Sequence, residues 1–236
     1  MSRRAAEGAR PAWPARRRRA WSGGRLRRCR RRVPRSPGTR WLAGAGVAHF
    51  DETGFRVAGR PAWAHSASSG KFALVTVHAK RGKDGMEAAG VLPAFGGIAC
   101  HDAWAPCDCY DGVSGHALCN AHVLRELNAV TETGTDAGVT WARQAAGALL
   151  ALKEAAGDAR EAGHAAVSAE ILDEHGRWFG EAAAADTVLN ASRRSALRKT
   201  RHALASRLAA READHLRFAS ACGFPSTTTR PSRSPG

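Results

Sequence analysis

The hydrophobic pattern divides the chain into two halves with different periods. From Val47 to His78, short runs of β-branched and aromatic residues are punctuated by Gly54, Gly59 and Gly70. That pattern predicts strands over 47–51, 55–57, 62–65 and 72–78, arranged as an antiparallel meander. Residues 83–95 then read as a helix ended by Gly96 and Gly97. Residues 98–101 read as one further strand, with Asp102 at its tip.

After a loop containing Pro106 and Gly112 the composition turns Ala- and Leu-rich, and the period changes to that of helices. Leu118, Val123, Leu124 and Leu127 form one apolar face, and Trp141, Ala145, Leu149 and Leu152 a second. Ile171, Leu172, Trp178 and Phe179 form a third. A last, basic helix is expected to carry Leu189, Leu197, Leu204, Leu208 and Leu216. Residues 1–43 and 219–236 have neither period. Rich in Arg, Pro, Gly and Ser, they lack the apolar surface needed to offset the entropy of ordering, so both are expected to be disordered. The expected organisation is a basic segment over 1–43, a strand-rich core over 44–110, a helical region over 111–218 and a tail over 219–236.

Charge changes this picture less than its total suggests. The formal net charge is +15, but residues 1–40 hold fifteen Arg and one Glu, leaving 21 basic and 20 acidic side chains for the remaining 196 residues. Such an arm binds phosphate backbone without sequence preference and gives way to salt. No apolar run approaches the roughly 18 residues needed to span a bilayer, so a cytoplasmic, nucleoid-associated protein is expected. With no secretory signal, the six cysteines read as reduced thiols. Cys107, Cys109, Cys119 and His122 could hold tetrahedral Zn²⁺, although the Cys-x-Cys spacing is tighter than in most structural zinc sites, and burial at a helix start explains Cys119 and His122 as well.

The candidate chemistry lies in two aspartates 51 positions apart, in His-Phe-Asp-Glu-Thr-Gly (49–54) and Cys-His-Asp-Ala-Trp (100–104). Each follows an apolar run, as if two strands deliver carboxylates to one place. Carboxylate oxygens are hard ligands suited to Mg²⁺ or Mn²⁺. Strand-end aspartates also cap turns, and composition alone favours that role. Glu52, next to Asp51 on an extended segment, is expected to point to the opposite face.

These aspartates belong to a larger set. Asp-Glu-Thr-Gly at Asp51, Trp-x-His at Trp63 and His65, Arg-Gly at Arg81, Leu-Pro-x-Phe-x-Gly leading into His-Asp at Asp102, and Leu-Cys-Asn-Ala-His-x-Leu-Arg-Glu-Leu over 118–127 occur in one order. Together, over roughly 47–153, they resemble the transposases of the insertion-sequence-sixty-six family, a branch of the DDE recombinases. The resemblance implies an α/β fold with an RNase H-like core, a mixed sheet with flanking helices, followed by a mostly helical insertion. It implies a DNA transposase catalytic domain that cleaves phosphodiesters and transfers strands with two divalent ions, Mg²⁺ or Mn²⁺. Asp51 and Asp102 would be its first two catalytic, metal-binding acids. The implied partner is DNA, as transposon ends and target, and a homo-oligomer is compatible with that role. Arg81, Arg125, Arg194, Arg198 and Lys199 are candidate contacts to the nucleic acid, with a solvated basic face or a helix-surface ion pair as the structural alternatives.

The family's third acid, a Glu in an Asn-Asn-x-Ala-Glu type motif, has no counterpart in this sequence. The string at 226–232 can be back-translated so that, read one nucleotide earlier, it gives Phe-Asp-Asn-Asn-Pro-Ala-Glu. A frameshift between about 218 and 224 is therefore expected, making the chain a catalytically defective remnant with an incomplete two-ion site. A non-catalytic basic DNA-binding protein is the alternative reading.

Overall fold

The computed structural model describes residues 36–134, 136–192 and 194–220. The expectations for residues 1–35 and 221–236, including the shifted reading frame at 226–232, lie outside the described residues.

Five strands form one mixed sheet: β1 (Val47–Val57), β2 (Arg60–Ser68), β3 (Ala73–His78), β4 (Ile98–His101) and β5 (Gly115–Leu118), in spatial order β3-β2-β1-β4-β5. The first three make the expected antiparallel meander, whereas β4 runs parallel to both β1 and β5. The residues expected as two strands at 47–51 and 55–57 are one strand. Gly54 does not end it, because Gly54 pairs with Trp63 and a Cβ there would stand 3.1 Å from the indole ring. The turn falls instead at Ala58 and Gly59, whose φ angles of 48° and 78° both lie in the left-handed region, as a two-residue hairpin loop needs.

Alternation along the strands gives the sheet one packed face. Ala48, Phe50, Ala67, Leu74 and Ala99 pack with Met86, Val91, Leu92, Phe95, Cys107 and Tyr110. Met86 comes from α2 (Lys83–Ala89), and Leu92 from a single 3₁₀ turn (Leu92–Ala94). The helix expected over 83–95 is therefore broken in two, because Gly90 adopts φ 74° as the α2 C-cap and Pro93 follows. Leu42, fully buried, joins this core from α1 (Pro37–Ala43). These residues were expected to be disordered, but Ser36 caps the helix by accepting from Thr39 N at 3.2 Å and Pro37 opens it.

The helical region comprises α3 (Asn120–Thr133), α4 (Asp136–Glu161), α5 (Ala169–Leu189), α6 (Ala196–Ala210) and α7 (Glu212–Ser220). Leu118, expected on the first helix, instead ends β5, and the expected last helix is three: the end of α5, then α6 and α7. Leu127, Ala145, Leu149, Leu152, Phe179, Leu204, Leu208 and Leu216 share one apolar core. α7 fastens it to the sheet, Arg217 Nε donating to His116 O of β5 at 2.6 Å, and is tied in turn to α3, where Asn120 Nδ2 donates to His215 O at 2.9 Å.

One close approach sets the β1–β4 register. Ile98 N donates to Gly46 O at 2.8 Å, and a Cβ on Gly97 would lie 2.4 Å from that same oxygen. Both contacting groups are backbone and cannot swing aside. We expect Gly97→Ala to destabilise the fold by about 1–3 kcal/mol, as overpacking does. Urea unfolding midpoints of the two proteins measure it, and an unchanged midpoint would show that the strands tolerate the wider gap.

Candidate active site

The register that Gly97 permits has a numerical consequence. Val47 pairs with Ile98, Ala48 with Ala99 and His49 with Cys100, so partners on the two parallel strands are 51 positions apart. Asp51 and Asp102 differ by the same 51. Asp51 lies within β1 with its side chain exposed, and Asp102, half-buried, is the first residue after β4. The backbone then turns sharply, with Ala103 at φ 69°.

Each aspartate uses one oxygen locally. Asp51 Oδ1 accepts from Glu52 N at 2.8 Å, and Asp102 Oδ1 accepts from Trp104 N at 3.0 Å. That leaves the second oxygen of each for another partner, as hard carboxylate ligands require.

Glu52 faces the other way, as alternation predicts. Only 5% of its side chain is exposed, and its Oε1 accepts from Arg81 Nη2 at 3.1 Å and Nε at 3.3 Å. The Arg81 guanidinium lies 4.1 Å from the ring centroid of Trp104 and 5.1 Å from that of Trp63, both within cation–π range. His65 Nε2 lies 3.1 Å from Lys80 O and so fixes the loop that presents Arg81. Gly85 of α2 is pressed against the same imidazole, where a Cβ would stand 2.2 Å from Nε2. Residues from four sequence motifs thus build one clamp beside Asp102.

Burial pushes the Glu52 carboxyl up to about 7. The Arg81 charge opposes this, while the charges of Asp102 and, less strongly, Asp51 add to it.

The remaining candidates are dispersed. Arg125 is exposed on α3, its Nε donating to Ala121 O at 3.3 Å, while neighbouring Glu126 pairs with Arg207 of α6. Arg194, Arg198 and Lys199 are exposed at and just before the start of α6, with Arg198 Nη1 donating to Ser192 Oγ at 3.0 Å. Cys107, Cys109, Cys119 and His122 do not converge as metal ligands among the described residues. Cys107 is buried in the sheet core, where burial raises its thiol pKa, and Cys109 is exposed with Sγ directed at Ala105 O.

The sequence reading missed a second polar cluster. His101 at the end of β4, His116 of β5 and Asp108 of the 3₁₀ turn Ala105–Cys109 face one another. Burial lowers the His101 pKa to about 4, leaving the imidazole neutral. Its only sequence signal was a histidine on each of two adjacent short strands.

The Glu52 shift fixes the sign of a pH effect. A carboxyl raised from 4.5 to about 7 binds its proton more tightly when folded, so its contribution to stability is greatest below pH 4.5 and is lost as pH rises to 7. We expect the stability difference between Glu52→Gln and the parent to grow in the variant's favour by about 1–3 kcal/mol from pH 4.5 to 7.5. Urea midpoints across that range measure it, and a constant difference would show that Arg81 keeps the carboxylate ionised.

The described residues include no helix long and apolar enough to cross a membrane. Comparison with curated proteins and with solved structures gave no match. A family model described as Transposase IS66 family matches residues 39–225, which takes in the sheet, the clamp, both aspartates and the helical region. With most of its length matched in this way, the chain belongs to the IS66 family of DDE-type DNA transposases.

Proposed function

We propose that this chain is a transposase catalytic core in which Asp51 and Asp102 hold a divalent cation, Mg²⁺ or Mn²⁺, beside a scissile DNA phosphodiester. The observation that carries the reading is the offset of 51 shared by the β1–β4 pairs and the two acids. Hard oxygen donors on an exposed strand and at the neighbouring strand end fit such an ion. Bound there, it would supply Lewis acidity that lowers the pKa of an attacking hydroxyl and neutralises charge on the reacting phosphate.

The chain's own groups divide the remaining work. Arg81, bonded to Glu52 and lying against two indoles, acts as a positioning residue that steadies the Asp102 loop through Trp104. Arg125, Arg194, Arg198 and Lys199 keep their charges toward solvent and suit phosphate contact. The basic segment over 1–40 adds affinity without sequence preference. The working partner is DNA, as element ends and target, with the protein nucleoid-associated in the cytoplasm and assembling as a homo-oligomer on its substrate.

This chain is a catalytically defective member of its family. Its sequence supplies no third acid in the family's motif, and two carboxylates hold a two-ion site incompletely. In strand-transfer assays on element ends with Mg²⁺ or Mn²⁺, we expect no more product than from the Asp51→Asn, Asp102→Asn double variant. Mn²⁺ affinity, by contrast, should fall about tenfold or more in either single variant. Robust strand transfer would show that another residue replaces the missing acid. Unchanged Mn²⁺ affinity would remove Asp51 and Asp102 from the site and leave the non-catalytic DNA-binding reading.

A further inference from the structure

The His101, Asp108 and His116 cluster, on β4, β5 and the 3₁₀ turn between them, is built from softer ligands than the two aspartates. Nε2 of His101 and Nδ1 of His116 are 3.0 Å apart, and Asp108 Oδ1 stands 3.7 Å from each of them. Among the described residues, these are the His, Cys, Asp or Glu side chains that converge three together as ligands.

The two imidazole nitrogens stand within hydrogen-bond distance of each other, whereas the carboxylate oxygen stands beyond that distance from both. A carboxylate hydrogen-bonded to an imidazole N–H approaches to about 2.7–2.9 Å, and 3.7 Å is too long for that. Yet the oxygen faces both rings equally. A triangle with sides of 3.0, 3.7 and 3.7 Å has its equidistant point about 2.0 Å from every corner. Zinc bonds to imidazole nitrogen at about 2.0–2.1 Å and to carboxylate oxygen at about 2.0–2.2 Å.

The surroundings hold these ligands in place. His101 is 3% exposed and anchored in β4, whereas Asp108 is partly open to solvent and gives an ion a way in. The other oxygen of Asp108 accepts from Arg211 Nη1 at 2.9 Å, and the backbone carbonyl of His116 accepts from Arg217 Nε. Partners of this kind orient ligands in metal sites. Two imidazoles and one carboxylate select a zinc-class transition metal over Mg²⁺.

We propose that His101 Nε2, His116 Nδ1 and Asp108 Oδ1 bind one zinc-class ion, with a fourth position open to water. The ion ties the Ala105–Cys109 turn to β4 and β5. Asp102 and Trp104 lie in the segment between His101 and that turn, so the ion also restrains the loop carrying the second acid. This site does not depend on the catalytic reading above.

The test uses the full chain, stripped with a chelator and titrated with Zn²⁺ and, as a spectroscopic substitute, Co²⁺. We expect one Zn²⁺ per chain and the visible absorption of tetrahedral Co²⁺. Affinity should fall about tenfold or more in His116→Ala and in Asp108→Asn, and stay unchanged in Asp51→Asn and in the Cys109→Ser, His122→Ala double variant. Asp108 is a partly exposed position, so its Asn variant keeps the test valid should His116→Ala fail to fold. Absence of stoichiometric uptake, uptake unaffected by Asp108→Asn, or uptake lost with Cys109 and His122 would each overturn the proposal.

Discussion

The parallel ladder between β1 and β4 is the constraint on which the rest of the structure depends. Three backbone pairs fix an offset of 51, and Gly97 makes it attainable by letting β4 start against the Gly46 carbonyl. A slip of one residue would turn every side chain of β4 to the opposite face. It would remove Ala99 from the packed core and carry Asp102 out of step with Asp51. Placement of the acids is thus a by-product of the packing of small residues, Ala48 on Ala99, rather than of any direct bond between the carboxylates.

Around that ladder, polar groups with opposed needs are arranged side by side. Glu52 is drawn inward by alternation and made tolerable there by Arg81, whose cation is covered by Trp63 and Trp104. Burying the pair is costly, as the upward shift of the Glu52 carboxyl records. Asp51, one residue earlier, stays exposed. Adjacent acidic residues on one strand therefore have different surroundings, an outward carboxylate open to solvent and an inward one bonded to Arg81. The helical region is bound to this sheet through α7, where Arg217 bonds the His116 carbonyl of β5, while Asn120 of α3 bonds His215 within the helical region.

Much of this was legible in the sequence, for reasons that differ by element. The meander and β4 followed from short β-type runs punctuated by glycines, and the opposite facing of Glu52 and Asp51 from the alternation of a strand. The motif order pointed to the family and the α/β, RNase H-like class. Local reading failed where tertiary contact decides. Gly54 looked like a strand end, yet the Trp63 ring occupies the space a side chain would need. Leu118 matched a helical face, yet four residues suffice for a strand when β4 lies alongside. The Pro37 segment looked disordered by composition, yet Ser36 and Leu42 give it a cap and an anchor. The zinc reading of the cysteines relied on spacing, whereas the side chains that converge are two histidines on adjacent strands and Asp108, which spacing does not reveal.

The account stands on Asp51 and Asp102 acting as one cation site. Diffraction from crystals soaked in Mn²⁺, collected at a wavelength where manganese scatters anomalously, tests this most directly. An anomalous peak within coordination distance of both carboxylates, about 2.0–2.3 Å, is the predicted result. A structure in which the two side chains lie on separate surfaces, with manganese bound elsewhere or nowhere, would contradict it.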